Sequence, residues 1–212
     1  MGLSNTIPLL LLSILMFGVL GNAQLTSDFY STTCPNVTVI ARSLLEQASR
    51  SDVRLTAQVM RLHFHDCFVN TYTCALNIEL KACEPQGCDG SVLLDAALAD
   101  GVEGEKEAFQ NAGSLGGFEV IDEIKTALEN VCPGVVSCAD ILAITAEISV
   151  SLAGGPSWDV LLGRRDGRTA NRDDAVAALP LGPDSLDILT TKFSEHNLDT
   201  TDLVALSGTF AF

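Results

Sequence analysis

Apolar residues return every three or four positions along most of this chain, and that period constrains the fold more than any other feature. Val37, Ile40, Ala41, Leu44, Leu45 and Ala48 follow the i, i+3, i+4, i+7 spacing that lines one face of a helix. A second helix is predicted from Val53 to Asp66, and Val120, Ile121, Ile124, Ala127, Leu128 and Val131 mark a third. Ser137 is placed to cap a fourth, which runs through Ile141, Leu142, Ile144 and Ile148 and stops at Gly154-Gly155-Pro156. Its apolar residues go nearly all the way round, as in a buried helix. Ser185 opens a fifth with Leu186, Leu189 and Phe193, and Thr201 caps a sixth that ends at Ser207-Gly208. The segments between are rich in Gly and Asp, no internal repeat is visible, and strand patterns are scarce. The predicted class is all-α.

The amino end stands outside this pattern. Ile7 to Leu20 is almost wholly apolar, and Gly21-Asn22-Ala23 follows with small residues at alternate positions. Residues 1–23 are read as a signal peptide, the run being shorter than the ~20 residues that span a bilayer. Residues 24–212 are then one secreted domain, with no second stretch long enough for a membrane. Seven cysteines among 212 residues suit an oxidising route, and the odd number leaves at least one without a partner in the chain. On that route Asn36-Val37-Thr38 is a glycosylation acceptor at Asn36. A hydrophobic content of 47% supports a sizeable core, and a net charge of −15 with no basic face excludes nucleic acid as a partner.

Reactive groups concentrate at the end of the second helix, in Arg61-Leu62-His63-Phe64-His65-Asp66-Cys67-Phe68. A His-x-His pair suggests a zinc site, as in a metal hydrolase. On a helix, however, positions i and i+2 point about 200° apart, so His63 and His65 cannot share one ion there. Arg61 and His65 are four apart and share a face. A fixed cation lowers the pKa of a neighbouring imidazole, which joins a proton acceptor to an anion stabiliser. The spacing fits equally a buried histidine that happens to lie beside a surface arginine.

The run from Arg61 to Phe68 closely resembles the distal haem motif of the class III secretory plant peroxidases. Other stretches agree in order: Gln24-Leu25-Thr26 with Phe29-Tyr30 and Cys34-Pro35-Asn36; Gly87-Cys88-Asp89-Gly90-Ser91-Val92-Leu93-Leu94; Glu105-Lys106 with Asn111; Gly117-Phe118; Val135 to Asp140; Gly154 to Trp158; Leu162 to Asp166; and Asp202 to Gly208. The resemblance implies a mainly helical fold that holds haem b between two halves and oxidises small phenolic donors with hydrogen peroxide. By the same carry-over His65 moves the peroxide proton, Arg61 stabilises the charge on the departing oxygen, and Asn111 accepts a hydrogen bond from the other ring nitrogen of His65. Glu105 holds Asn111, Phe64 limits the access of bulky donors, and the carbonyl of Pro180 contacts the phenol. A calcium ion is expected on Asp66, Asp89, the Ser91 hydroxyl and the carbonyls of Val69 and Gly87. Disulfides are expected as Cys34–Cys132 and Cys67–Cys88. His63 and His196 carry no role.

Two departures from the family pattern stand out. Residues 71–86 are inserted between Asn70 and Gly87, which lengthens the loop closed by Cys67–Cys88 and separates calcium ligands. Loop-closure cost grows only logarithmically with length, so that bond is expected to survive, with Cys74 and Cys83 open to pairing with each other or competing. After Leu206-Ser207-Gly208 the family places a proximal histidine, where this sequence reads Thr209-Phe210-Ala211-Phe212 and has no histidine after His196. No haem iron ligand is therefore expected among these residues, Cys138 is expected to lack its partner, and turnover by the chain as written is expected to be impaired. The abrupt edges of both departures suggest an alternative transcript or gene model, which sequencing of the message checks. The remaining expectations are a monomer outside the cell, in the wall or vacuole, with hydrogen peroxide and phenolic donors as its small-molecule partners.

Overall fold

Helix dominates the computed structural model, which describes residues 25–69, 73–74, 83–84, 87–95 and 104–208. The expected signal peptide, most of the 71–86 insertion and residues 209–212 lie outside the described residues. In chain order the helices are α1 (Val37–Ser49), α2 (Leu55–Phe68), α3 (Phe118–Val131), α4 (Cys138–Leu152), α5 (Arg172–Ala178), α6 (Leu186–Glu195) and α7 (Thr200–Gly208). Two short 3-10 turns, Ser91–Leu93 and Glu105–Glu107, sit between α2 and α3. Within the insertion, β1 (Thr73–Cys74) pairs antiparallel with β2 (Cys83–Glu84), in a register that sets Cys74 opposite Cys83.

The apolar periods account for the long helices. Ser137 caps α4 by accepting from the Asp140 N–H, and Asp166 accepts from the Cys138 and Ala139 N–H groups at 3.0 and 2.9 Å. Ser185 caps α6 in the same way, through Ile188. The expected cap of the last helix is corrected: Asp199, not Thr201, accepts from the Thr201 and Asp202 N–H groups, because the helix begins two residues earlier than a cap at Thr201 requires. Helix α5 was not among the predicted helices. Asn171 caps it and Asp173 and Asp174 fill its first turn, but with Ala175 its single buried residue it carries almost no apolar signal.

Two cores result. The larger is built by α1, α2, α3 and α4 around Leu45, Val59, Leu62, Ile121, Ile124, Leu128, Ile141, Leu142 and Ile148. The smaller gathers Phe68, Val69, Ala108, Ala175, Leu179, Phe193 and Leu203 from the end of α2 and from α5, α6 and α7. Helix α2 thus serves both, Val59 and Leu62 facing one and Phe68 the other, while its polar residues fall between. The Cys34–Cys132 disulfide joins the start of α1 to the end of α3 with Cα atoms 5.8 Å apart, and Cys67–Cys88 ties the end of α2 to the loop beyond the insertion at 4.0 Å. Both expected pairings are present, and Cys138 is a free thiol among the described residues.

The fully buried carboxylate of Asp140 organises the amino-terminal end of α4. It accepts from the Tyr30 hydroxyl at 2.8 Å, from the Gly163 N–H at 2.7 Å and from the Arg164 guanidinium at 3.0 Å. Burial pushes the Tyr30 phenol up to about 12, from an ordinary value of 10.0. The folded state therefore keeps a proton that the unfolded chain loses near pH 10. The contribution is fully present below about pH 10 and is lost as pH rises toward about 12. The expected outcome is that stability falls between pH 9 and 11.5 by more in the wild type than in Tyr30→Phe. Parallel curves in urea titrations at the two pH values contradict it.

Candidate functional site

The polar residues between the two cores do not all face one way. Arg61 and His65 lie one turn apart on α2, and the Arg61 Nε–H donates to His65 Nε2 at 3.2 Å. Behind the ring, His65 Nδ1 lies 2.6 Å from Asn111 Oδ1, and Asn111 Nδ2 donates to the Glu105 backbone carbonyl at 2.8 Å. A carbonyl can only accept, so the Asn111 amide must turn its NH2 toward Glu105 and its oxygen toward the ring. Nδ1 then carries the imidazole proton and Nε2 presents its lone pair, which is also what the Arg61 donor requires. Two independent partners thus agree on one tautomer. Glu105 meets Asn111 through its main-chain carbonyl and not through its carboxylate.

Arg61 is held by groups that α2 does not supply. Nη1 donates to the Ser114 carbonyl at 2.7 Å, and Nη2 donates to the Gln110 carbonyl and the Ser114 hydroxyl, each at 3.1 Å. Burial, reinforced by the Arg61 charge and partly offset by the Asn111 hydrogen bond, lowers His65 to about 4, so the ring is neutral at physiological pH. A neutral imidazole whose unprotonated nitrogen lies beside a fixed guanidinium can take a proton from a small acid that displaces the Arg61 donor, and the guanidinium can hold the resulting anion.

His63 faces elsewhere. Its ring nitrogens lie 3.7 Å from the Cys67 sulfur, and burial and the Arg164 charge lower it to about 4. The grouping of His63 with Cys67 and Cys88 has both sulfurs engaged in a disulfide. The two histidines of the His-x-His pair therefore form no common metal site. His196 stacks on Phe68 with ring centroids 3.9 Å apart, and Phe64 packs edge-on to His65 and against Phe68 and Phe193.

A second polar cluster lies on the other side of α2. The Asp66 carboxylate is fully buried and accepts from the Gly90 and Val92 N–H groups at 2.9 and 3.4 Å. Burial above all pushes it up to about 8. Burial likewise pushes Glu105 up to about 7, partly offset by the nearby Ser91 hydroxyl and Asn171 amide, which do not reach hydrogen-bond geometry. Both carboxylate oxygens of Glu105 and the Ser91 hydroxyl are buried without a hydrogen-bond partner. Asp89, also raised chiefly by burial, caps the turn by accepting from Ser91 N–H at 3.1 Å. The chain re-enters beside α2 so closely that a Cβ on Gly87 would collide with the Cys67 carbonyl oxygen. Such hard, buried, unsatisfied oxygens fit a divalent cation such as calcium.

The structure brings Arg61, His65, Asn111 and Glu105 together, and separately Asp66, Asp89, Ser91 and Glu105. Pro180 is half-buried at the end of α5, Val69 is buried at the end of α2, and Asn36 is exposed. Sequence reasoning missed Gln110 and Ser114. They hold Arg61 across 49 and 53 residues of chain, and no local pattern marks such a contact.

Comparison with known proteins gives a consistent picture. A family model described as Peroxidase matches residues 41–212. The chain is 81% identical over its whole length to Peroxidase 58 of Arabidopsis thaliana, of which it covers 60%. It is 51% identical over 96% of its length to the lignin-forming anionic peroxidase of Nicotiana tabacum, covering 56% of that protein, and 48% identical over 90% of its length to Peroxidase N of Armoracia rusticana, covering 51%. The chain therefore spans somewhat more than half the length of these curated relatives.

The tautomer argument is open to direct measurement. Imidazole nitrogen shifts at neutral pH are expected to show His65 protonated on Nδ1, and a proton on Nε2 contradicts the assignment. Asn111→Val strands a buried Nδ1–H and is expected to cost about 1–3 kcal/mol of folding stability in denaturant titrations.

Proposed function

This chain belongs to the peroxidase family, and on that premise we propose that it serves a secreted peroxidase that reduces hydrogen peroxide at the expense of small phenolic donors. The observation that carries the proposal is the arrangement of Arg61, His65 and Asn111, with the unprotonated imidazole nitrogen turned to a fixed cation. Of the surroundings a haem needs, the described residues fit the distal face: neutral His65 and Arg61 side by side, flanked by Phe64. A bound haem supplies the redox equivalents. His65 and His63 are engaged as described, His196 is stacked on Phe68, and the run that the family resemblance continues toward an iron ligand, residues 209–212, lies outside the described residues.

The residues of this chain then have separate tasks. His65 Nε2 accepts a proton from hydrogen peroxide and returns it to the departing oxygen, so that water and not hydroxide leaves. The Arg61–His65 bond, at 3.2 Å, is long enough to yield to an incoming hydroxyl donor. Arg61 holds the negative charge that develops as the oxygen–oxygen bond breaks, and keeps its place through Gln110 and Ser114. Asn111, set by Glu105, prevents the ring from presenting the wrong nitrogen. Phe64 narrows the approach, and the carbonyl of Pro180 orients the donor. Asp66, Asp89, Ser91 and the carbonyls of Val69 and Gly87 would hold calcium, bracing the turn whose carbonyl fixes Asn111. For secretion, the support is the apolar segment 1–23, two disulfides, the exposed acceptor Asn36, and no described helix long and apolar enough to cross a membrane.

Reconstitution of the chain with haemin, followed by peroxide-dependent oxidation of a phenolic dye, tests the reaction. Turnover in the wild type is expected to fall by about 10²–10⁴-fold in His65→Ala. Equal turnover in the two sinks the role of His65. For the cation, calorimetric titration with calcium is expected to show one specific site, weakened at least about tenfold in Asp89→Asn. No binding heat in the wild type contradicts the site.

A further inference from the structure

Helix α5 ends in an unusual way. Its last helical hydrogen bond is from Leu179 N–H to the Ala175 carbonyl, at 3.1 Å. Leu179 is extended (φ −64°, ψ 134°), as a residue before proline favours, so the helix stops there and the Val176 carbonyl is left without a helical partner. That carbonyl is instead taken by the side chain of Gln110, whose Nε2 donates to it at 2.9 Å across 66 residues of chain. The orientation of the amide is forced, since a carbonyl only accepts. Gln110 is nine-tenths buried at 8% exposure, and its Oε1 is buried without a partner. An unpaired buried acceptor is a cost, so packing alone would favour an apolar residue here. What Gln110 contributes that an apolar residue cannot is the amide donor.

The same residue faces the peroxide side. Its backbone carbonyl accepts from Arg61 Nη2 at 3.1 Å and from the Ser114 hydroxyl at 2.8 Å. The segment beyond α5 is held from its other side as well, Lys192 donating to the Leu179 carbonyl at 2.8 Å and Asp184 accepting from the Leu181 N–H at 2.9 Å. We propose that Gln110 is a positioning residue that takes up the carbonyl left open at the end of α5 and so ties the donor-contacting segment to the loop that holds Arg61. The tether itself follows from the hydrogen bonds, whereas its consequence for phenol oxidation rests on the proposed function.

Amide hydrogen exchange of residues 172–184 in the full chain is compared between the wild type and Gln110→Met, with helix α4 as the internal control. Gln110→Met is expected to speed exchange of residues 172–184 about tenfold and that of α4 no more than about twofold. Equal acceleration of both segments, or none in either, overturns the tether. With haemin bound, Gln110→Met is expected to lower the rate constant for the phenolic donor at least about fivefold more than that for hydrogen peroxide. Equal losses in the two constants overturn the coupling. A wild-type chain without turnover overturns the proposed function, while the exchange comparison still decides the tether.

Discussion

The carboxylate of Asp66 has no access to water, and the placement of the site follows from how it is satisfied. A buried carboxylate without donors is costly, so the backbone N–H groups of Gly90 and Val92 are drawn onto it. That fixes the loop after the insertion against the end of α2, with the Cys67–Cys88 disulfide as a covalent companion. The Ser91–Leu93 turn packs in its turn on the Glu105–Glu107 turn. The Glu105 carbonyl then sets Asn111, and Asn111 sets the tautomer of His65. A structural oxygen cluster beside α2 is thus linked, through hydrogen bonds and the packing of one turn on another, to the proton acceptor on the same helix.

The flanks of the insertion are held by the Cys67–Cys88 disulfide and by hydrogen bonds to Asp66. The pair of short strands Thr73–Cys74 and Cys83–Glu84 closes the insertion on itself. The unsatisfied oxygens of Ser91 and Glu105 remain where a cation can use them.

Arg61 shows a different economy. Its neighbour His65 comes from the same helix, but its place is set by the Gln110 and Ser114 carbonyls and the Ser114 hydroxyl from the segment before α3. Helix α2 supplies the reactive pair, the segment from Glu105 to Ser114 supplies nearly all its orientation, and α5 to α7 supply the smaller core against which Phe64 and Phe68 rest. Gln110 belongs to the orienting segment and reaches the end of α5 as well, so one side chain touches two of these three parts.

The sequence by itself determined the helices with strong apolar periods, the caps at Ser137 and Ser185, and the shared face of Arg61 and His65. Each depends on residues within a few positions, where helix geometry fixes who meets whom. Family resemblance added both disulfides and the partnership of His65 with Asn111. Helix α5 was not legible because its seven residues bury only Ala175, and the cap at Asp199 was misplaced because Thr201 offers a similar oxygen. Only the tertiary structure decided which carbonyls hold Arg61, that Glu105 uses its main chain for Asn111 and leaves its carboxylate unpaired, and that Gln110 takes the carbonyl left open at the end of α5, 66 positions away in number. Buried polar atoms must find partners wherever the fold brings them, and over such separations the partner is chosen by packing of the two cores, which no local pattern encodes.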